Sequence, residues 1–579
     1  MRSLHAVIDF QAGQEDLSHL QLAFGEPRLE LFARTGSDVH DVLAEVDQLA
    51  RRGAWCVGYL RYEAASAFEP GAALHAPDGP LAYFSVHDRP VALPEFAREP
   101  ATPLCWQRQT SRDLFGSHIA RIHDAIARGE VYQVNYTGLL QADYDGDPFD
   151  LFCALRRAQP RSNAAFFSNR EEAVLSVSPE LFFDWDGERL KCRPMKGTAA
   201  RGSSPELDAR QAEYLRTNAK EQSENVMIVD LIRNDLSRVA QLGSVRVPRL
   251  FACEPWPTVW QMTSTVEART RPGTRLCELF QALFPCGSVT GAPKLRSMHW
   301  IRELEAGPRG VYCGAAGVVL PGGAARFNVP IRTVNVRDGR AKCGIGSGIT
   351  ADATAEGEWA EWACKTGFLE QASRPFSLLQ TVKIEDGRPC HAELHIDRLA
   401  AAGAHFGFPV DRQAVRRAVN SAVAAHGPSP GRARITVDVR GSATVDVSDL
   451  PRTPAGPLPV ALARHAVMAP AAFLRHKTTR RDHLAAFPSD TTSAFDTLLW
   501  NGRGEVTEFT RGNVILERRS GELVTPALHC ELLDGVGRAS ELAAGRVREA
   551  VVHVKELHSM RRIWFVNALR GRVPVQLGP

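Results

Sequence analysis

The chain has 579 residues, too many for one ordinary hydrophobic core, so its length predicts two to four domains. Its composition, with 44% hydrophobic and 23% charged residues, is typical of soluble globular proteins, and a formal net charge of +3 gives no electrostatic footprint for nucleic acid. No apolar run reaches the roughly 18 residues that a membrane helix needs, and twelve cysteines without a CxxC pair argue against zinc and disulfide scaffolds and favour a reducing cytoplasm.

Helix-like and strand-like segments are mixed along the chain. Residues 116–129 place three isoleucines on one stripe and predict a helix. The run VYQVNYTGLL that follows predicts a buried strand. A later helix is predicted over residues 355–371, with Trp359, Trp362 and Ala363 on its apolar side.

A domain boundary is predicted near residue 373. Pro375 makes continuation of the preceding helix improbable, and the alternating run SLLQTVKI starts a new strand just beyond it. The chain is thereby divided into residues 1–372 and 373–579, and the second part has a normal size for one domain.

Five segments of the first part carry polar or glycine residues that the hydrophobic pattern does not explain. They are SPELF (178–182), RPMKGT (193–198), SENVMIVDLIRND (223–235), GSVTGAPK (287–294) and EGEWAEWACK (356–365). Each is weak alone, because a Glu after a Pro is often a helix N-terminal charge and a Lys beside a Gly is often on the surface.

Two of these segments place acidic residues at helical spacing. Glu221 and Glu224 are three residues apart and share a helix face, while Glu361 and Lys365 are four apart and also share one. A solvated salt bridge is one interpretation of the second pair. The other is that one carboxylate from each helix meets around a hard cation such as Mg²⁺, which uses few protein carboxylates and keeps waters or substrate oxygens.

Glycines are concentrated in GSVTGAPK and in CGIGSGIT (343–350). They allow positive φ and close backbone approach, so that amide groups can face an anion; a tight turn without a ligand is the alternative. Arg332 lies in the strand-like run NVPIRTV, where a buried guanidinium needs an anionic partner such as a substrate carboxylate.

Taken in order, and together with GYLRYEAA (58–65) and YQVNYT (132–137), these segments resemble the chorismate-utilising enzymes. That family includes the large subunits of anthranilate and aminodeoxychorismate synthases and the isochorismate and salicylate synthases. The resemblance covers roughly residues 1–370 and implies an α+β fold, an N-terminal α/β sandwich that binds chorismate with Mg²⁺. It implies that Glu224 and Glu361 are the metal ligands. The substrate-binding residues that it implies are Gln133, Thr290, Tyr312, Arg332, Gly346 and Lys365.

Two positions discriminate within this family. Isochorismate and salicylate synthases carry a water-activating Lys at the position of Gln133. Because Gln has no basic lone pair, this chain is not expected to activate water there. Anthranilate synthases have PIAGT where this chain has PMKGT, so the resemblance implies that Lys196 is the nucleophile of an aminodeoxychorismate synthase. It would attack C2 of chorismate and expel the C4 hydroxyl, ammonia would then add at C4, and Glu180 would be the general acid–base.

The first part also departs from the family pattern. Gln261 stands where many relatives have His, and Cys286 where Gly is commoner. We find no glutaminase elbow, which predicts that ammonia comes from a separate glutamine amidotransferase subunit or from solution. An anthranilate synthase with an accessory domain stays open as the alternative, although Lys196 argues against it.

The second part contains HAELHIDRLAAAGAHFGF (391–408), FLRHKTTRRDHL (473–484), GEVTEFTRGNVIL (504–516) and LVTPALHCELLDGVGR (523–538). A lone Lys in a basic run is usually on the surface, but Lys477 is followed by two Thr and is predicted to be flanked by strands. These segments resemble the fold type IV enzymes that use pyridoxal 5′-phosphate (PLP), over about residues 373–579. The cofactor-binding residues that the resemblance implies are Lys477, Glu508 at the pyridine nitrogen, Asn513, and Arg398 with the amides of Val536 and Gly537 at the phosphate.

Within fold type IV, NALRGRVPV (567–575) resembles the C-terminal segment of aminodeoxychorismate lyases. GVGR in place of G-I-T-R, and Leu484 where relatives often have Tyr, are departures. The two resemblances together predict a smaller α+β PLP domain after the chorismate domain, and a chain that makes p-aminobenzoate for folate. A dimer through the PLP domain is a further expectation.

Overall fold

The computed structural model describes residues 4–11, 18–200, 205–255, 259–454, 456–469, 471–487 and 494–578. The chain separates into two compact units, Met1–Pro375 and Phe376–Pro579. The sequence prediction places the domain boundary between residues 372 and 373.

The first unit alternates strands and helices. Its strands are β1 (Ala6–Phe10), β2 (Leu20–Phe24), β3 (Leu29–Ala33), β4 (Trp55–Leu60), β5 (Ala82–His87), β6 (Gln107–Arg108), β7 (Gln133–Asp143), β8 (Asn163–Ser168), β9 (Ala173–Ser178), β10 (Leu181–Trp185), β11 (Arg189–Arg193), β12 (Met195–Ala200), β13 (Arg246–Pro255), β14 (Val259–Arg269), β15 (Gly291–Ala292), β16 (Ala315–Val319), β17 (Ala325–Asn328), β18 (Thr333–Arg337) and β19 (Arg340–Ile349). Its helices are α1 (Gly36–Arg51), α2 (Ala65–Phe68), α3 (Arg112–Ala127), α4 (Pro148–Ala158), α5 (Pro205–Thr217), α6 (Ala219–Ser237), α7 (Leu276–Leu283), α8 (Lys294–Leu304), α9 (Ala355–Lys365) and α10 (Gly367–Ala372).

These strands form two large sheets. One has the order β15-β7-β19-β18-β9-β8-β1-β2, with β6 beside β7, and the other has the order β12-β14-β11-β10-β17-β16-β4-β5-β3, with β13 beside β14. The sheets face each other, because Tyr59 of β4 packs on Phe167 of β8 with ring centroids 5.8 Å apart. This confirms the sandwich that the resemblance implies.

Helices cover the outer face of each sheet. Apolar residues of α1, α6 and α7 pack on the ten-stranded sheet, and those of α3, α4 and α10 pack on the nine-stranded sheet. Both outer faces are therefore buried, which explains why most strands are apolar on both sides rather than alternating.

The second unit contains two sheets. Its strands are β20 (Leu378–Glu385), β21 (Arg388–Pro389), β22 (Gly431–Val437), β23 (Ala443–Asp449), β24 (Leu458–Leu462), β25 (Asp496–Trp500), β26 (Val506–Phe509), β27 (Asn513–Glu517), β28 (Leu523–Pro526), β29 (Arg548–Ala550), β30 (Arg562–Asn567) and β31 (Gly571–Leu577). Its helices are α11 (Ala392–Phe406), α12 (Arg412–His426), α13 (Ala471–Arg475), α14 (Asp482–Ala485) and α15 (Val536–Ala543). The sheet orders are β21-β20-β22-β23, against which α11 and α12 pack, and β26-β25-β24-β31-β30-β27-β28-β29.

Several local predictions need correction. The helix predicted over 355–371 is two helices that meet at Thr366. Ala363, which was predicted on the apolar side of this helix, is exposed. Lys477 is not flanked by strands: it lies between α13 and α14, next to a single β-bridge that joins Leu378 and Thr478. Arg332 lies outside a strand, with φ +49, immediately before β18.

All twelve cysteines are free thiols, as their spacing predicts. In the part of the chain that the structure describes, no helix is long and apolar enough to cross a bilayer.

Candidate active sites

The glycine-rich run of the first unit forms strand β19, and one face of this strand carries glycines in place of side chains. Gly344, Gly346 and Gly348 alternate along β19 and point to one face. A Cβ on Gly344 would lie 2.4 Å from the Tyr312 ring, and one on Gly346 would lie 2.4 Å from Thr137 Cγ2. None of the three glycines has a positive φ, so of the two properties that the sequence analysis considers, positive φ and close approach, it is the close approach of neighbouring groups that requires them.

Lys196 and Gln133 meet above the last of these glycines. A Cβ on Gly348 would lie 1.9 Å from Gln133 Nε2 and 2.8 Å from Lys196 Nζ. Lys196 comes from β12 and Gln133 from the start of β7, so the two sheets each contribute one of these side chains. A larger residue at position 348 would displace both.

Gln133 has an amide group with unsatisfied hydrogen-bonding capacity. Its side chain is 0% exposed, and neither Nε2 nor Oε1 has a hydrogen-bond partner among the described residues. A buried amide without partners costs about 1–3 kcal/mol. A polar ligand that bonded to the Gln133 amide would remove that cost.

Glu180 lies near the same amine. The carboxyl is 4% exposed, and Oε1 has no partner within the described ranges. Burial raises the pKa of Glu180 to about 7, against opposing effects of the Ser288 hydroxyl, Lys196 and Lys365. A carboxyl with this pKa can hold and release a proton near neutral pH.

Further carboxylates surround Lys196. Burial raises the pKa of Glu221, and Glu224 and Glu361 raise it further because the three negative charges repel one another. Glu361 also pairs with Lys365 at 2.7 Å, the salt bridge that its spacing allows. Burial opposes the ionisation of Glu361, but Lys365 and then Lys196 outweigh it, so its pKa is lowered.

This acidic cluster includes Glu224 and Glu361, the two residues that the sequence predicts to bind Mg²⁺. Within the described residues, no group of three or more His, Cys, Asp or Glu is arranged to hold a metal ion. Mg²⁺ does not require one, since it often takes one or two protein carboxylates and completes its shell with water and substrate oxygens. Repulsion between Glu221, Glu224 and Glu361 is what such an ion would relieve.

Three further residues that are predicted to bind substrate, Lys365, Tyr312 and Thr290, contact β19 or β7. Lys365 Nζ donates to the carbonyl of Gly346 at 2.9 Å. Tyr312 is 9% exposed, with its ring against Gly344. Thr290 is buried, and its hydroxyl donates within its own turn to the carbonyl of Cys286 at 3.2 Å.

Arg332 is a guanidinium without a carboxylate partner in the described part of the chain. It donates to Gln159 Oε1. Burial lowers its pKa to about 10. A desolvated cation with a neutral partner is suited to an incoming anion.

Three residues that the sequence did not single out as functional support this site. The Ser288 hydroxyl lowers the pKa of Glu180 against the larger effect of burial. Arg309 donates to the carbonyls of Val289 at 2.7 Å and Asn135 at 2.6 Å, which ties the GSVT loop to β7. Gln261, known from the sequence only as a departure, donates to the carbonyl of Gly197 at 2.7 Å. Bonds to backbone carbonyls leave no sequence signature, because many donors can make them.

The second unit has its own group of buried charges, centred on Lys477. Burial lowers the pKa of Lys477 to about 7, and the positive charges of Arg398 and Arg481 lower it further. Much of the amine is therefore neutral near pH 7, the form in which it is a nucleophile and a base.

Glu508 of β26 is the carboxylate of this group. Burial raises its pKa to about 8, against the backbone amide of Leu533, which donates to Oε1 at 3.2 Å. Asn513 Nδ2 lies 3.4 Å from Oε2 and donates to the carbonyl of Leu533 at 2.8 Å. Asn513 thus links Glu508 to the turn that precedes α15, and a Cβ on Gly535 would lie 2.0 Å from Asn513 Oδ1.

Arg398 of α11 lies by that turn. Its Nη2 donates to Gln380 Oε1 at 2.6 Å and its Nη1 to the carbonyl of Asp534 at 2.9 Å. Burial lowers its pKa to about 10, and no carboxylate of the described residues pairs with it. Val536 and Gly537 open α15, where backbone amides have no partner within the helix, so this end and Arg398 are groups that could bind a phosphate.

His395 and Arg481 also belong to this group, and the sequence did not assign them a role. His395 is 1% exposed; its Nδ1 shares Gln380 Oε1 with Arg398 at 3.1 Å, and its Nε2 has no partner in the described chain. Arg481 donates to the carbonyl of Thr510 at 2.5 Å and lowers the pKa of Lys477. The basic run after Lys477 was the available signal for Arg481.

Comparison with known proteins identifies what these two units resemble. Residues 91–371 match the family described as chorismate binding enzyme, and residues 377–577 match amino-transferase class IV. Aminodeoxychorismate synthase component 1 of Salmonella typhimurium (strain LT2) is 40% identical over 256 residues, which cover 44% of this chain and 56% of that protein. Anthranilate synthase component 1 of Streptomyces coelicolor is 36% identical over 270 residues, which cover 46% of this chain and 53% of that protein.

The chain therefore spans little more than half the length of these relatives. Among solved structures, anthranilate synthase component I from Streptococcus pneumoniae superposes with a TM-score of 0.54 at 24% identity, covering 62% of this chain and 95% of that one. That likeness shows the fold of the first unit. Residues 91–371 thus match the chorismate binding enzyme family, and residues 377–577 that follow match the class IV amino-transferase family.

Proposed function

We propose that this chain makes p-aminobenzoate from chorismate in two steps, one in each domain. The first domain replaces the C4 hydroxyl of chorismate by an amine, and the second removes pyruvate from the product. The observation that carries the proposal is the Lys196 amine, which lies beside the unsatisfied Gln133 amide and over the bare Cα of Gly348.

In the first step, Lys196 is the nucleophile. Its amine forms a bond to C2, the two ring double bonds move from C1=C2 and C5=C6 to C1=C6 and C4=C5, and the C4 hydroxyl leaves as water with a proton from Glu180. Ammonia then bonds to C4, both double bonds shift back, and the Lys196 amine leaves from C2. Two displacements through the conjugated double bonds replace one difficult direct substitution at C4.

Gln133 favours amination over hydration. A neutral amide cannot take a proton from water, so it cannot generate hydroxide next to the ring. It can donate and accept hydrogen bonds, and a substrate hydroxyl or carboxylate would satisfy the amide that the protein leaves without a partner. Tyr312 and Lys365, which contact glycines of β19, and the buried Arg332 would hold carboxylates.

Glu224 and Glu361 are the residues that would hold Mg²⁺. The ion would neutralise a carboxylate of the substrate and so favour its binding. The repulsion between these carboxylates and Glu221 supports this assignment.

In the second domain, Lys477, Glu508 and Arg398 would hold PLP. When bound, the cofactor withdraws electrons from the carbon that carries the substrate amine. Glu508 would keep the pyridine nitrogen protonated, and Arg398 with the amides of Val536 and Gly537 would hold the phosphate. The Lys477 amine takes a proton from the amine-bearing carbon and returns one to the departing enolpyruvyl group, and aromatisation drives the loss of pyruvate.

Ammonia would come from a separate glutamine amidotransferase subunit. We further propose that the chain works in the cytoplasm, where its twelve free thiols would stay reduced, and that it feeds folate synthesis. Association through the PLP domain into a dimer is part of the same proposal.

One assay tests the main proposal. Purified chain loaded with PLP is given chorismate, ammonium and Mg²⁺, and the products are separated as p-aminobenzoate and anthranilate. We expect p-aminobenzoate, and we expect glutamine to be inactive in place of ammonium. Anthranilate as the main product would overturn the proposal in favour of an anthranilate synthase with an accessory domain.

A further inference from the structure

Lys196 projects from an irregular point in its sheet. On β12, Met195 pairs with Thr263 of β14, and Thr198 pairs with Gln261. Three residue steps on β12 are thus matched by two on β14, which defines a β-bulge at Lys196 and Gly197. Gly197 has φ +92, a conformation that other residues adopt only with strain, and a Cβ there would lie 2.9 Å from Glu221 Oε2.

A bulge interrupts the hydrogen-bond ladder and needs other partners. Gln261 supplies them: its Nε2 donates to the carbonyl of Gly197 at 2.7 Å, and its Oε1 accepts from the Thr198 hydroxyl at 3.0 Å. From the other side, Asn225 of α6 lies with Nδ2 at 3.5 Å from the Lys196 carbonyl, and its Oδ1 accepts from Ser264 at 2.5 Å.

We propose that Gln261 positions Lys196 for reaction by fixing the bulge from which the lysine projects. This inference rests on the proposed role of Lys196. The lysine stem has four rotatable bonds, so the direction of its backbone decides whether Nζ reaches the space over Gly348. Gln261 bonds the two residues that follow Lys196 and acts on the reaction through that lysine.

The carboxamide is suited to this task because it donates and accepts on adjacent atoms. A carboxylate of the same shape keeps the acceptor for Thr198 but places a negative oxygen against the carbonyl of Gly197. A leucine of similar size loses both bonds. These two changes therefore separate bonding to the bulge from filling of space.

The test compares Gln261→Leu, Gln261→Glu and Thr198→Val with the matched control Gln241→Leu. Gln241 Nε2 also donates to a backbone carbonyl, that of Thr270 at 2.9 Å, beyond the far end of β14 from the bulge. We expect both Gln261 variants to lower kcat for amination by about 10- to 100-fold, the scale at which a small misplacement acts. KM for chorismate should stay within about twofold, and Thr198→Val should have the smallest effect of the three.

A second readout needs no turnover. Modification of Lys196 by trinitrobenzenesulfonate, followed by peptide mass spectrometry, should proceed at an altered rate in both Gln261 variants and at the wild-type rate in Gln241→Leu. A wild-type kcat and labelling rate in Gln261→Glu would overturn the inference, as would equal losses in Gln241→Leu. A normal kcat in Lys196→Ala would instead overturn the proposed function, while the labelling result would still decide whether Gln261 positions the amine.

Discussion

The two candidate sites carry opposite charge imbalances. Around Lys196, the carboxylates of Glu221, Glu224 and Glu361 repel one another. Around Lys477, the cations Arg398 and Arg481 lower the pKa of the lysine, and Glu508 is the carboxylate that opposes them. Under the proposed function, the first site would receive a cation and the second an anion.

This difference shows how each lysine can be used as an amine. At Lys477, burial and neighbouring cations disfavour the ammonium form directly. At Lys196, the neighbouring groups include the carboxylates of Glu221 and Glu361, and the proposed Mg²⁺ would add a positive charge among them. The first lysine is thus predicted to depend on the metal, whereas the second depends on residues of its own domain.

The largest expected effect comes from Lys196→Ala. If Lys196 is the nucleophile, kcat for amination should fall on the order of 10³-fold or more, the scale seen when a nucleophile is removed. Steady-state rates with saturating ammonium measure this. The matched control is Lys191→Ala, on β11 of the same sheet, where Lys191 pairs with Glu267 at 3.3 Å. A raised KM with a near-normal kcat would indicate that Lys196 only balances the charge of the substrate carboxylates.

The next effect is expected at Lys477, and it should be confined to the second reaction step. Lys477→Ala should abolish p-aminobenzoate formation and the visible absorbance of the bound cofactor, and should let the aminated intermediate accumulate at the wild-type amination rate. Product separation by chromatography shows both. Lys383→Ala, which removes a lysine paired with Glu385 at 2.8 Å on β20, should leave both steps intact. Normal p-aminobenzoate output from Lys477→Ala would remove the lyase role from this domain.

Glu361→Gln should lower amination by about 100-fold and raise the Mg²⁺ concentration needed for half-maximal rate, because one charged metal ligand is lost. The cofactor absorbance of the second domain should not change. Glu356→Gln on the same helix, where Glu356 pairs with Arg112 at 2.6 Å, is the control. Unchanged amination and unchanged Mg²⁺ dependence in Glu361→Gln would show that the acidic cluster does not hold the metal through this residue.

Elements with a clear hydrophobic period were predictable from the sequence. Residues 116–129 fall largely within α3, and the run that starts at Ser377 forms β20. The break at Thr366 was missed, because the apolar period continues across it while the helix does not. The strand-like surroundings predicted for Lys477 were wrong for a related reason: short helices such as α13 and α14 are too brief to show a period.

Contacts between distant segments were predictable only through family resemblance. Gln133, Lys196 and Gly348 meet because β7, β12 and β19 are brought together by two sheets, and spacing along the chain contains no such information. The sequence indicated that the glycines of β19 allow positive φ or close approach, and only the structure shows that the close approach of Tyr312 and Thr137 requires them. From the sequence, Gln261 could be identified only as a departure from the His that many relatives have at this position. Its bonds to the bulge are visible only in the structure.

The smallest expected effect concerns the pH dependence of the first site. Glu180 must be protonated to release the C4 hydroxyl as water, and burial raises its pKa to about 7. The protonated fraction therefore falls as pH rises through that value, and kcat/KM for amination should decline about tenfold per pH unit above it. The Ser288 hydroxyl opposes the rise of the Glu180 pKa, so Ser288→Ala should move this descending limb to higher pH.

A pH profile of kcat/KM for wild type and Ser288→Ala, measured with ammonia held constant as the free base, checks both statements. Ser244→Ala is the control, since the Ser244 hydroxyl donates to the carbonyl of Gln241 at 2.7 Å, in the turn between α6 and β13. A limb that stays in place in Ser288→Ala would mean that this hydroxyl does not act on the titrating group. A profile without a descending limb near pH 7 would mean that the proton for the leaving hydroxyl does not come from Glu180, and the acid would then have to be sought among the other carboxylates around Lys196.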